Sequence, residues 1–274
     1  MSVGRAPGKL ILCGEHAVVY GHPAIAIAVG LFTEVEVTPC RRVEAEGDDR
    51  LREALSALAP QGGRFSIRSE LPMGAGMGSS ASLAVAAVRA LGSALTLEEE
   101  LEQAMRAERV FHGSPSGLDA AVIARGGALR FQRGAPPAMT PLPPPSWTGV
   151  VLDTGVPGDT RAMVAQVARG AHGPLLAEIG SIADAIGDHL DNIGLLGPLL
   201  THNHALLRAL GVSTPHLDHL VGEALALGAT GAKLCGAGGG GVALALHPDP
   251  AALRDALRAR GHRAMLVRPP QERQ

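Results

Sequence analysis

The sequence predicts a protein that mixes helix and strand in each of two domains, and three observations predict it. Strand-like alternation and helix-like periodicity both occur in both halves of the chain. Between the halves, residues 134–147 carry Ala-Pro-Pro and Leu-Pro-Pro-Pro, a composition that breaks both regular structures and extends the backbone. The boundary is therefore expected at Trp147, with residues 1–147 and 148–274 as the two domains. A length of 274 residues, 46% of them apolar and 18% charged, suits one large or two ordinary globular domains with sizeable cores.

Leu10 to Cys13 and Ala24 to Val37 are apolar or alternating, with Val35 and Val37 opposite Glu34 and Glu36, and read as strands around a turn at Gly21-His22-Pro23. Leu51 to Leu58 reads as a short helix and Phe65 to Ser69 as a strand. The stretch from Leu71 to Ser82 holds Gly74, Gly76, Gly78 and the pair Ser79-Ser80, and opens directly into an alanine-rich helix over Ser80 to Leu95. Thr96, with Glu99 three residues on, is a capping box that starts a helix running to about Phe111. The second half reads as a strand from Gly149 to Leu152, then helices at Arg161 to Ala168, Pro174 to Leu190, Pro198 to Leu210 and Pro215 to Leu227. Strands at Ala232 to Leu234 and Val242 to His247 follow, and a last helix, Pro250 to Arg260, is stopped by Gly261.

Composition narrows the function class. A net charge of -2 with interspersed signs leaves no basic stripe for nucleic acid or an anionic membrane. Aromatic residues make up only 2%, which removes base-stacking platforms. The N-terminus shows no basic segment followed by an apolar run, and no window suits a bilayer, so a cytoplasmic location is expected. Cys13, Cys40 and Cys235 are odd in number and widely spaced, and read as free thiols. Small-molecule chemistry is the default that remains.

The glycine loop has the makings of an anion cradle. Without Cβ atoms its N–H groups can approach an anion, and the first helical turn leaves unpaired donors at the positive end of the dipole. It fits neither commoner phosphate loop: Gly78 is followed by serine and not lysine, and Ser79 stands where the dinucleotide fingerprint needs glycine. By itself the loop reads equally well as a structural turn. Glu108 is a second anomaly. At 100° per residue it falls inside the stripe Leu97, Leu101, Ala104, Met105 and Phe111, where a buried carboxylate needs a partner, so a cation is expected there. Glu108 and His112 also have the spacing of a zinc pair but lack a third soft ligand. Asp119 is readable as the N-cap of a helix over Ala120 to Ala124, Gly238 to Gly241 as a flexible hairpin, and His202-Asn203-His204 as polar surface.

Four segments, taken in order, resemble the GHMP kinase superfamily across nearly the whole chain, and within it the mevalonate kinase family. They are Ala6-Pro7-Gly8-Lys9 through Gly14-Glu15-His16-Ala17-Val18-Val19-Tyr20-Gly21, the glycine loop, Glu108 to Asp119 with its Ser114-Pro115-Ser116-Gly117 turn, and Lys233 to Gly241. The resemblance implies an α+β fold of two domains, an N-terminal one like the second domain of ribosomal protein S5 and a ferredoxin-like C-terminal one, with the active site between them. It implies transfer of the γ-phosphoryl group of ATP to an alcohol, mevalonate, with Mg²⁺ as cofactor. That reaction asks the protein chiefly to position groups and to neutralise dispersed negative charge.

By the same resemblance Asp119 is the general base and Lys9 the cation between it and the transferring group. Gly74, Ala75, Gly76, Met77, Gly78, Ser79 and Ser80 hold the ATP phosphates, while Ser80 and Glu108 are the oxygen ligands of magnesium. Glu15, His16, Ser116 and Thr160 lie beside the mevalonate, His16 as a partner for its carboxylate, and Asp153 to Arg161 closes over the substrate. The family also makes a homodimer an option. Cys235 and Val242 depart from the family pattern where threonine and cysteine are usual, and Met73, Met77 and Ser82 vary it mildly. Glu15-His16 argues against phosphomevalonate kinases, which tend to Glu-Tyr, and against galactokinases, which diverge just after that histidine. Retention of Lys9, Glu108 and Asp119 argues against a catalytically silent, nucleotide- or metabolite-sensing member.

Overall fold

A computed structural model describes residues 1–72, 74–92 and 94–270, so Met73 of the glycine loop and Ser93 near the end of the expected Ser80 to Leu95 helix lie outside the described residues. The chain builds two mainly antiparallel sheets. The first holds β1 (Ser2–Cys13), β2 (Pro23–Thr38), β3 (Val43–Ala45), β4 (Gly63–Ser69), β5 (Ala128–Gln132) and β6 (Ala138–Leu142). The long β2 pairs along one edge with β1, and along the other with β4 at its far half and β5 at its near half, while β3 and β6 form the outer edges there. The second sheet holds β7 (Gly149–Asp153), β8 (Gly231–Cys235), β9 (Val242–Leu246) and β10 (Arg263–Val267) in the order β10-β7-β9-β8.

Helices α1 (Asp49–Leu58), α2 (Ser79–Ala90), α3 (Leu97–His112) and α4 (Leu118–Arg125) belong to the first half. Helices α5 (Thr160–Ala168), α6 (Gly173–Asp188), α7 (Ile193–Ala209), α8 (Pro215–Ala226) and α9 (Pro250–Ala259) belong to the second. The capping box forms as the sequence dictates: Glu99 N–H donates to Thr96 Oγ1 at 3.3 Å and Thr96 N–H to Glu99 Oε2 at 2.8 Å. Helix α2 stops earlier than expected because Gly92, at φ 79°, turns the chain left-handed. Helix α7 starts five residues before Pro198, because Asn192 Oδ1 accepts from Gly194 and Leu195 N–H and caps it there.

Two expectations are corrected. The proline-rich stretch was expected to break regular structure throughout, yet it contains β6, which carries Pro141 on a sheet edge where a missing donor is tolerated. Asp119 does not cap its helix; the cap position of α4 is Gly117, at φ 89°.

Alternation along the central strands divides the core. Ala24 and Ala26 face a cluster built from α1 to α4, whereas Ile25, Ile27 and Val29 face a cluster that continues through α6 into the second sheet. In β1, Leu10 and Leu12 join the second cluster and Ile11 the first. The near-continuous apolar run of β2 is thus a strand buried on both faces. Lys9 shares the parity of Ile11, which directs it toward the helical side where α2 and α4 begin.

Candidate active site

A cavity of about 640 Å³ lies where β1 ends, α2 and α4 begin, and α5 and the β8–β9 connection approach from the second sheet. Its wall includes Lys9, Glu15, His16, Gly74, Gly76, Gly78, Ser79, Ser80, Glu108, Ser116, Asp119 and Thr160, so most of the residues singled out in the sequence converge on one space. Ala75 and Met77 do not; both are buried in the core beneath the loop.

The glycine loop is seated by both halves of the chain. Lys9 N–H donates to Met77 O at 2.9 Å, tying the loop to β1, and Gly158 N–H donates to Gly74 O at 3.0 Å from the other side. Gly76 sits at φ 80°, and a Cβ there would stand 2.8 Å from the carbonyl oxygen of Cys235, so the glycine is required both by its backbone angle and by the closeness of β8. The loop then delivers its N–H groups to the start of α2, whose N-cap, Gly78, supplies no side-chain acceptor for them.

Beside this cradle lies a charged centre. Lys9 is buried, and its ammonium reaches Asp119 Oδ2 at 3.1 Å and donates to Gly76 O at 2.8 Å. The Asp119 side chain, one-third exposed, faces the cavity from the first turn of α4. Glu108 is 3% exposed, and its Oε1 has no hydrogen-bond partner. Burial first, and the Asp119 carboxylate second, push its pKa up to about 7, against the opposing influence of Ser80 and Lys9. The cation expected against Glu108 is not supplied by a lysine or arginine in contact: its described ion-pair neighbour is His112 at 4.0 Å, an imidazole whose pKa burial lowers. His112 Nε2 and Ser80 Oγ are hydrogen-bonded at 2.9 Å.

These groups fit magnesium. A buried carboxylate oxygen without a partner stands near a hydroxyl at the rim of an anion cradle, and Mg²⁺ takes only one or two protein oxygens when phosphates complete its shell. Among the described residues no three His, Cys, Asp or Glu side chains gather into a metal cage, which speaks against the zinc reading of Glu108 and His112.

Also on the cavity wall, Glu15 and His16 are both buried. The Glu15 carboxylate pairs with the Lys233 ammonium and accepts from Asn203 Nδ2 at 3.2 Å. Burial works against the Lys233 charge, but Glu15, followed by lesser neighbours, outweighs it and leaves its pKa raised. His16 Nε2 meets Ala237 O at 2.9 Å, and burial lowers the pKa of its ring. Ser116 Oγ accepts from Leu118 N–H at 3.3 Å within the turn that presents Asp119. Thr160 opens α5 behind Asp159, whose Oδ1 accepts from Ala162 N–H at 3.0 Å. From the same turn Arg161 crosses the cavity mouth and donates to Phe111 O at 2.9 Å.

The sequence reading gave Lys233 and Arg161 only as members of longer segments, with no role of their own, and missed the bond from His112 to Ser80. It also placed His202-Asn203-His204 on the surface; only His202 is exposed, whereas Asn203 is fully buried on Glu15 and His204 lies under Asp218 at 3.2 Å. A lysine inside the otherwise apolar Ala-Lys-Leu-Cys strand was the available signal, since an ammonium so placed demands a carboxylate.

Comparison with known proteins agrees with the geometry. The model of the GHMP kinases' N-terminal domain matches residues 48–127, and that of their C-terminal domain matches residues 182–263. A mevalonate kinase of Thermococcus gammatolerans is 37% identical over 90% of this chain and 89% of its own length. A mevalonate kinase of Pyrococcus furiosus is 34% identical over 90% of this chain and 89% of its own. The crystal structure of L. major mevalonate kinase in complex with R-mevalonate superposes with a TM-score of 0.87 at 27% identity, covering 98% of this chain and 96% of that one.

Proposed function

The chain belongs to the GHMP kinases and, among them, to the mevalonate kinases, and on that premise we propose how its cavity transfers the γ-phosphoryl group of ATP to (R)-mevalonate, giving 5-phosphomevalonate and ADP. The observation that carries the reading is the contact of Lys9 with Asp119 at 3.1 Å and with the glycine loop at 2.8 Å, inside the cavity that also holds the unpartnered Glu108 oxygen.

Amides of Gly74, Gly76, Gly78, Ser79 and Ser80, at the loop and the start of α2, bind the phosphates of ATP. Ser80 and Glu108 would hold Mg²⁺, whose contribution is to neutralise the charge of the phosphate oxygens. Asp119 accepts the proton of the substrate's primary hydroxyl as that oxygen forms its bond to the γ-phosphorus and the bond from phosphorus to the ADP oxygen breaks. Lys9, held by Asp119 and by Gly76 O, keeps a positive charge beside the group in transit, where a preorganised cation counts for more than it does in water. His16, Glu15, Ser116 and Thr160 surround the acceptor end of the cavity, and Arg161 helps bring the second lobe onto the first. The two lobes divide near Trp147.

Replacement of Asp119 by Asn tests the assignment. Loss of the base lowers kcat by about 10²- to 10⁴-fold while ATP binding, followed by calorimetry, stays near wild type. Wild-type turnover by that variant contradicts the role given to Asp119.

A further inference from the structure

Glu15 lies on the cavity wall, yet its carboxylate is fully engaged. One oxygen takes the Lys233 ammonium, the other takes the Asn203 amide at 3.2 Å, and the Glu15 and Lys233 side chains are 1% and 0% exposed. The three protons of Lys233 find three acceptors: Glu15, the carbonyl of Ile11 at 3.2 Å and that of Leu234. Ile11 lies on β1 and Glu15 just beyond its end, Asn203 lies on α7, and Lys233 lies on β8, so this buried knot ties elements of both sheets together.

The chain leaves the knot in two directions and lines the cavity with both. Beyond Glu15 comes His16; beyond Leu234, two residues past Cys235, comes Ala237, and the two ends rejoin through His16 Nε2 and Ala237 O at 2.9 Å. His16 is, among the described residues, the one non-glycine position with positive φ, at 61°. A strained angle of this kind persists only where the surroundings over-determine it.

We infer that Lys233 and Asn203 are positioning residues for the acceptor alcohol: by immobilising Glu15 between the lobes they hold His16 in its strained place on the cavity wall. Because the Ala237 carbonyl can only accept, Nε2 carries the ring proton, and Nδ1 is left to act as an acceptor. The ring so held receives a hydroxyl proton of the substrate in a hydrogen bond and does not donate to its carboxylate. The kinetic side of this inference rests on the mevalonate reading above; the geometric side does not.

Two variants test it: the charge-neutral pair Glu15→Gln with Lys233→Met, which avoids leaving one buried charge alone, and the uncharged single change Asn203→Leu. Each is compared with the wild type in KM for mevalonate, KM for ATP, kcat, and backbone amide exchange of the ligand-free protein. The expected result is a KM for mevalonate raised about tenfold in the pair and about threefold in Asn203→Leu, with KM for ATP and kcat within about twofold. Amide exchange should quicken at Glu15 to Val18 and Gly236 to Gly239 and stay slow in α2. Folded variants with unchanged KM for mevalonate and unchanged exchange overturn the inference. A defect confined to the Glu15→Gln, Lys233→Met pair also overturns it, because Glu15 would then touch substrate itself. Should the wild type fail to phosphorylate mevalonate at all, the substrate reading fails, and the exchange data alone decide whether the knot positions His16.

Discussion

At the scale of single residues, the site joins groups that strand parity and helix phase bring together. Lys9 meets Asp119 because, between the two register shifts of β1, it shares with Ile11 the face turned toward α2 and α4, and Asp119 occupies the first turn of α4. Glu108 shows what such an arrangement costs before ligands arrive. Its carboxyl titrates near pH 7 in the folded protein against 4.5 as the ordinary value, chiefly through burial and then through Asp119. The folded state therefore holds this proton more tightly than the unfolded chain, so the stability it carries is fully present below pH 4.5 and is lost as pH rises through about 7. The span corresponds to about 3 kcal/mol. Melting of the metal-free protein in chelator between pH 5 and 8 should show this loss in the wild type relative to Glu108→Gln; parallel curves for the two proteins would contradict it. Lys9, Glu108 and Asp119 were legible in the sequence because each stands in a local motif or breaks a local pattern. Asn203 was not, since its partner Glu15 is brought to it by the fold from nearly the other end of the chain.

At the scale of elements, the glycine loop and the helix caps separate function from scaffold. Gly76→Ala places a side chain at φ 80° and drives Cβ against the Cys235 carbonyl, so it should lower stability by about 1–2 kcal/mol and raise KM for ATP as well. Gly92→Ala is the matched control: φ is 79° but nothing lies within 4 Å of the new atom, so stability falls and KM for ATP does not. Equal KM values for the two variants would remove the loop from nucleotide binding. Thr96→Ala breaks the capping box of α3 and should cost about 1 kcal/mol in thermal or denaturant unfolding, leaving both KM values intact because the cap lies three turns from Glu108. A changed KM for ATP would mean that the cap sets the position of Glu108. Capped, periodic helices were the most legible elements. Three edge strands were the least: β3 is three residues long, β6 carries a proline, and β10 begins with Arg263, so each owes its structure to the neighbour it pairs with.

At the scale of the whole molecule, the cavity exists because two sheets share one core. The face of β2 bearing Ile25, Ile27 and Val29 packs into a cluster that runs through α6 to β7, β8 and β9, and the loop glycines meet the β8–β9 connection backbone to backbone. None of that junction shows in periodicity, which reports which face of an element is buried but not what covers it. The family resemblance supplied the expectation that the two halves form one site, and the geometry of Gly76, Gly158 and Arg161 gives its physical basis. Among the described residues no helix is long and apolar enough to cross a membrane. The most direct test follows ADP release from purified protein with ATP and Mg²⁺, offering mevalonate, phosphomevalonate, galactose and homoserine in parallel. Turnover with mevalonate alone is the predicted result; silence with mevalonate beside turnover of another alcohol would contradict the substrate while leaving Lys9, Glu108 and Asp119 as the machinery of transfer.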